Sequence, residues 1–263
     1  MRGVDISHYQ KGLTIRQLRD AGYDFAIIKL TEAASIVDKA AFDFYREAYE
    51  LGFPVGCYCY SHAVTAKEAA AEAGHLLDTI NGFPMPCGIF LDVEEPNQLG
   101  LSDNELRDVI RAWCNGIAEH GYIPGVYGSE GNLWAKVKPD ELPGGTLIWV
   151  AKWSQTPPNT PCDLWQTSDS GRVEGYGGNV DTDLTRSARF ETLVDTGGCD
   201  YQYHHQLTPS ATDKPPDAPT DSGGVTDPVE LACDLLLAYL RSGDFSEGFR
   251  EYVKNALSMM ERR

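Results

Sequence analysis

The chain lacks any apolar run near the ~20 residues that a bilayer-spanning helix needs, so no membrane span is expected among its 263 residues. It also lacks positive charge: 22 Lys and Arg stand against 39 Asp and Glu, a net charge of −17. No basic stripe is available to neutralise phosphates, which argues against a nucleic-acid partner. The opening Met1-Arg2-Gly3-Val4-Asp5-Ile6 reaches an acid within five residues and shows neither an apolar h-region nor a cleavage site, so no classical signal peptide is expected. On this reading the protein is made in the cytoplasm, and any work outside a cell depends on another release route. Cysteine is present but unorganised: seven residues, an odd number, fall without metal-ligand spacing. Cys57 and Cys59 sit in an apolar strand pattern and read as two small buried side chains on one face. A reducing compartment is expected, with no metal site and no cofactor. His204-His205, in a Tyr- and Gln-rich stretch, has no nearby ligand partners.

What is there alternates. Gly3–Ser7, Phe25–Thr31, Pro54–Ser61, Gly88–Val93 and Pro124–Gly128 read as strands. Between them lie helical patterns at Thr14–Ala21, Asp38–Leu51, Thr65–Ile80 and Ser102–His120. Thr65-x-x-Glu68 and Ser102-x-x-Glu105 are capping boxes, and Gly22, Gly52 and Gly121 follow three of the helices. Strands spaced by helices of this length imply right-handed βαβ units. Five in series, with Leu147–Trp153, Asp163–Thr167 and a segment near Val173–Asp183 still to come, predict an irregular TIM-like β/α barrel that loses its outer helices after the fifth unit.

The composition shifts near residue 197. Residues 197–225 read as a Pro/Gly/Ser/Asp-rich linker, and 226–263 as a short helical pair opened by Asp227-Pro228-x-Glu230. About 37 residues without a staple are too few to fold alone. The tail is therefore expected to self-associate, giving a homo-oligomer, to pack on the barrel, or to target the protein to its substrate. Residues 1–196 are expected to be the catalytic domain.

The strand Gly88–Val93 runs into Asp92-Val93-Glu94-Glu95-Pro96. Residues i and i+2 of a strand share a face, so Asp92 and Glu94 would stand side by side at a strand's C-terminal end. Paired acids there suit glycoside cleavage, with one protonating the leaving oxygen and one stabilising the cationic centre. Asp5 and Asp181 fall at the ends of the first and last strands, which a barrel makes neighbours. The four acids would form a ring, while Glu95 would point away by parity and stay solvated. Tyr58, Tyr60, Tyr127 and Trp153 also fall at strand ends, where aromatic faces can stack on sugars. Gln166 is a candidate contact to an N-acetyl or hydroxyl group. Lys29 and Glu32 read as an ion pair, and His8 as a rim side chain.

These pieces resemble family 25 of the glycoside hydrolases, the Chalaropsis-type lysozymes. Gly3-Val4-Asp5-Ile6-Ser7-His8-Tyr9-Gln10 is similar to its opening D-x-S-x-x-Q, and Asp92-Val93-Glu94 to its catalytic D-x-E. Ile27–Glu32, Gly56-x-Tyr58-x-Tyr60, Trp149–Trp153, Leu164–Thr167 and Gly175–Asp181 resemble further strands, so the match runs from residue 1 to about 194. The chain departs from the pattern at Ala33, where the family usually has Gly, and at Asp183, where it often has Asn; spacing favours Asp181 as the acid facing the pocket. The resemblance implies an N-acetylmuramidase acting on bacterial peptidoglycan, a cell-wall lysin of phage or prophage type. It implies Glu94 as the general acid, its pKa expected to be raised by an ionised Asp92 and by the closed site, with Asp92 attacking directly or, preferably, orienting the substrate's own N-acetyl group. A non-catalytic wall-binding barrel and a hydrolase of another N-acetylated polysaccharide, such as chitin, are the rival readings.

Overall fold

The computed structural model describes residues 1–197. Beyond Gly197, the expected linker, helical tail and His204-His205 lie outside the described residues. Nine strands form one sheet: β1 (Arg2–Ile6), β2 (Phe25–Glu32), β3 (Ile36–Val37), β4 (Val55–Tyr60), β5 (Ile89–Asp92), β6 (Pro124–Ser129), β7 (Leu147–Ala151), β8 (Leu164–Gly171) and β9 (Val180–Thr185). The helices are α1 (Ile15–Asp20), α2 (Ala41–Leu51), α3 (Ala66–Ile80), α4 (Pro96–Leu99), α5 (Asp103–Glu119), α6 (Leu133–Lys136) and α7 (Ala188–Gly197). The strand order β1-β9-β8-β7-β6-β5-β4-β2 closes through β1 pairing with β2, and β3 hangs on β2 as an outer hairpin. The closed barrel thus has eight strands. No described helix is long and apolar enough to cross a membrane.

The expected barrel and its thinning helices are present, with corrections. β9 is antiparallel to both neighbours, β1 and β8. Asp181 therefore lies near the start of the last strand and not at its end, and reaches the same rim because the strand runs backwards. That strand begins at Val180, β8 extends to Gly171, and α2 begins at Ala41 rather than Asp38. The hairpin strand β3, the single-turn helices α4 and α6, and α7 carry no strong periodic signal and were not foreseen.

Alternation along the strands sorts two apolar layers. Outward residues such as Ile28, Cys57, Leu91 and Val126 pack with α1, α2, α3 and α5 in one cluster, and Cys57 and Cys59 are both fully buried there. Inward residues Phe25, Ile27, Phe90, Leu147, Trp149 and Leu164 fill the barrel, and Phe190 and Val194 of α7 pack against them. The Phe25 and Phe190 rings meet edge-on at 5.3 Å. Room for these rings comes from glycines: a Cβ on Gly3 would lie 2.2 Å from the Phe25 ring, and one on Gly125 2.3 Å from the Phe90 ring. The helices start where side chains supply missing backbone partners: Thr14/Gln17, Thr65/Glu68 and Ser102/Glu105 all form reciprocal capping boxes.

Candidate active site

The interior side chains change from apolar to charged along the strands, and a cleft of about 360 Å³ opens at the C-terminal end of the parallel strands. Asp5, Asp92, Glu94, Asp181, Tyr58, Tyr60, Tyr127 and Gln166 all line it. Strand register brings them there: Asp5 pairs with Asp181, Tyr60 with Asp92, and Asp92 with Tyr127. Trp153 does not line the cleft. β7 ends at Ala151, and Trp153 sits beyond it, 60% exposed, donating its indole N–H to Gln166 Oε1 at 3.0 Å.

Asp92 is the last residue of β5 and is buried, and its Oδ1 has no hydrogen-bond partner among the described residues. Burial first, then the neighbouring Glu94, raises its pKa well above the ordinary carboxylate range, while Lys29 offsets part of the effect. Glu94 lies past the strand and is exposed, yet the cleft walls withdraw enough water to raise its pKa. Asp181 and Glu95 add to that rise, and a hydrogen bond with Tyr127 opposes it. The closed site raises Glu94 as expected, with Asp181 and Glu95 adding to it, whereas the repulsion between Asp92 and Glu94 raises the pKa of Asp92, the group expected to stay ionised. Glu95 also departs from expectation. Strand geometry ends at Asp92, so parity no longer applies, and Glu95 accepts the Tyr60 hydroxyl at 2.7 Å while preceding α4.

Asp5, buried at the end of β1, accepts from Gln166 Nε2 at 2.8 Å. Burial, then Asp183 and Asp181, push its pKa well up. Asp181 rises to about 6, through desolvation and then the charge of Asp169. Asp183 does not line the cleft. It is buried beneath it, where it accepts the Trp149 indole N–H at 2.9 Å. Gln166 is more committed than expected: besides its bond to Asp5, its Oε1 receives the Tyr127 hydroxyl at 2.9 Å as well as Trp153.

Several contributors escaped the sequence reading. Tyr9, 77% exposed, stands at the rim on a single 3-10 turn that Ser7 and Gln10 cap reciprocally. Gln10 Nε2 also reaches Asn179 O at 3.3 Å, tying this turn to the loop before β9. The D-x-S-x-x-Q pattern is thus one acid followed by a turn-forming pair. Lys29 and Glu32 do form their ion pair, at 2.6 Å, and both line the cleft. Residues three apart in a regular strand face opposite ways; a register shift between Lys29 and Thr31 turns both inward. Lys29 Nζ also sits 4.9 Å from the centre of the Tyr60 ring. His8 is held off the cleft by Asp38, 2.5 Å from its Nδ1. Beneath the loop after β4, buried Glu72 accepts Ser61 Oγ at 2.6 Å and His62 N at 2.9 Å, and Gln98 Nε2 donates to Ser61 Oγ at 2.8 Å. This brace links the Tyr60 loop to α4, the helix that follows the D-x-E, and only the fold brings its members together. Among the described residues, no three His, Cys, Asp or Glu side chains cluster as metal ligands.

Comparison with known proteins agrees with this geometry. Residues 4–176 match the model of glycosyl hydrolases family 25. The chain is 30% identical over 189 residues to an autolytic lysozyme of Clostridium acetobutylicum, covering 70% of this chain and 55% of that protein, so it spans little more than half of that relative's length. A bacterial lysozyme structure from Streptomyces coelicolor superposes with a TM-score of 0.64 at 25% identity, covering 75% of this chain and 98% of the other. The catalytic domain of an endolysin from a bacteriophage of Listeria monocytogenes shares the fold, with a TM-score of 0.62 at 23% identity over 74% and 97% of the two chains. With the barrel, the strand-end acids and the matched span in agreement, this chain belongs to family 25 of the glycosyl hydrolases.

Proposed function

We propose that the protein is a peptidoglycan hydrolase, an N-acetylmuramidase that cuts the β-1,4 bond between N-acetylmuramic acid and N-acetylglucosamine. The observation that carries this reading is the pairing of two acids in unlike settings on one cleft: Asp92 buried with a bare Oδ1, and Glu94 exposed with a raised pKa. Glu94 is placed to protonate the leaving glycosidic oxygen, since a carboxyl that keeps its proton towards neutral pH is a competent acid. Asp92 is placed to accept a donor. An N-acetyl N–H at its Oδ1 would favour the carboxylate there and aim the acetyl oxygen at the anomeric carbon. This supports substrate assistance over direct attack. Trapping a covalent sugar–Asp92 adduct by mass spectrometry would reverse that preference.

Asp5 and Asp181 supply negative potential beside the developing oxocarbenium centre, and Tyr58 and Tyr60 offer ring faces and hydroxyls to the sugars. Tyr9, exposed on the cleft wall, and Trp153, exposed beyond the cleft lining, extend the aromatic surface. We extend the proposal to a lysin of the phage type, with residues 226–263 serving oligomerisation or wall targeting; the fold shared with a phage endolysin's catalytic domain is compatible with this. The test is digestion of purified peptidoglycan by the protein and by Glu94→Gln, with fragments reduced by borohydride and read by mass spectrometry. Reduced muramic acid ends, and a loss of about 10²-fold or more in the variant, are expected. Reduced glucosamine ends would make it a glucosaminidase, and no new ends would favour a wall-binding barrel.

A further inference from the structure

Glu72 is a carboxyl buried on the face of α3 that otherwise gives Ala69, Ala73 and Leu76 to the core. An apolar side chain would be buried there at lower cost; what the carboxyl supplies is a pair of acceptors. Its Oε2 accepts the Ser61 hydroxyl at 2.6 Å, and its Oε1 accepts the His62 backbone N–H at 2.9 Å. A serine hydroxyl has one proton and two lone pairs. The Ser61 proton goes to Glu72, and the lone pairs take Gln98 Nε2 at 2.8 Å and the Ala63 N–H at 3.2 Å. Gln98, fully buried, gives its second amide proton to Ala63 O at 3.0 Å, and its Oε1 accepts the Glu95 N–H at 3.4 Å. Each donor has its acceptor, so the direction of every bond in the chain is fixed.

These bonds end on the link that carries Glu94. β5 stops at Asp92 and α4 starts at Pro96, so Glu94 stands on a short segment that neither strand nor helix holds. The segment is fastened on both sides of it. Ahead of Glu94, the Ser61 N–H donates to Asp92 O at 3.1 Å. Behind it, Gln98 accepts from the Glu95 N–H, and the Tyr60 hydroxyl donates to the Glu95 carboxyl at 2.7 Å. Ser61 and Gln98 are also bonded to each other, and Glu72 anchors Ser61 to α3. We propose that Glu72, Ser61 and Gln98 are positioning residues that fix where Glu94 stands relative to Asp92. None of the three lines the cleft, so they act through the backbone they hold. The role of Glu94 as acid rests on the proposed function; the hydrogen bonds do not.

Gln98→Met removes the donor and the acceptor together at similar volume. A catalytic group displaced by about 1 Å loses about 10²-fold in rate, so kcat on soluble peptidoglycan fragments should fall about tenfold to a hundredfold, with KM unchanged. In a Glu94→Gln background the same substitution should cost less than about twofold, because the acid it misplaces is already gone. An equal fold-loss in both backgrounds would mean a general loss of structure and overturns the proposal, as does a raised KM at unchanged kcat. Glu72→Gln keeps the test open if Gln98→Met folds poorly. Its amide nitrogen would face either the His62 N–H or the filled Ser61 oxygen, so one bond is lost whichever way it turns, and the same pattern is expected. Amide exchange at Glu95, read by NMR on the full chain, should quicken in Gln98→Met, and unchanged exchange overturns the proposal. A quickened Glu95 amide with no hydrolysis by the wild type would instead overturn the muramidase reading and leave the brace standing.

Discussion

Asp181→Asn isolates what an acid in this cleft does to folding. The Asp181 carboxyl titrates near 6 in the folded chain against 3.8 for an ordinary aspartate. Between those values the native state binds more protons than the unfolded state, so stability falls as pH rises. Below 3.8 the penalty is absent; above 6 it is complete. A difference of about 2 units corresponds to about 3 kcal/mol. Asp181 is partly open to solvent, and screening brings the figure nearer to about 2 kcal/mol. Asn keeps the acceptor oxygen that Asp5 can bond and removes the charge. The variant should therefore be more stable than the parent by about 2 kcal/mol at pH 7.5, a rise in Tm of roughly 4–8 °C for a domain of this size. Little difference should remain at pH 4. Calorimetry or urea unfolding at both pH values reads this directly. Equal stabilisation at the two pH values would point to packing instead of charge, and a loss of stability at pH 7.5 would refute the reasoning. Peptidoglycan hydrolysis should fall in the same variant, because the charge that burdens the fold is one that the proposed oxocarbenium centre uses.

Two further outcomes concern backbone and packing. Ala33 closes β2 with φ of 49°, a left-handed conformation that costs a residue bearing a Cβ about 1 kcal/mol. After the greater freedom of glycine in the unfolded chain is subtracted, Ala33→Gly should stabilise by about 0.5 kcal/mol, seen as a higher urea midpoint with an unchanged slope. Gly125→Ala should do the reverse. Its Cβ would lie 2.3 Å from the Phe90 ring in the barrel interior, and overpacking there should cost about 1–3 kcal/mol by the same assay.

The site's ingredients were legible because a barrel writes its active end into a simple grammar. Each parallel strand is a short apolar run, these runs end at the same rim, and residues near the end on the inward face meet the cleft. That logic located Asp5, Asp92, Tyr58, Tyr60 and Tyr127 from sequence alone. The capping boxes at Thr65 and Ser102 were legible for a related reason, since they depend on residues three apart.

What the sequence by itself determined was therefore local: where strands stop, where helices start, and which acids stand near a strand end. Tertiary structure decided the rest. The reversed direction of β9 turns Asp181 to the rim and sinks Asp183 under it. A bulge in β2 sets Lys29 and Glu32 on one face, against parity. The end of strand geometry at Asp92 frees Glu95 to meet Tyr60. The amide of Gln166 is shared among Asp5, Tyr127 and Trp153, which lie on different strands or loops. None of these follows from spacing along the chain. Direction, register and hydrogen-bond sharing belong to pairs of segments distant in sequence, and they are settled only when the barrel closes.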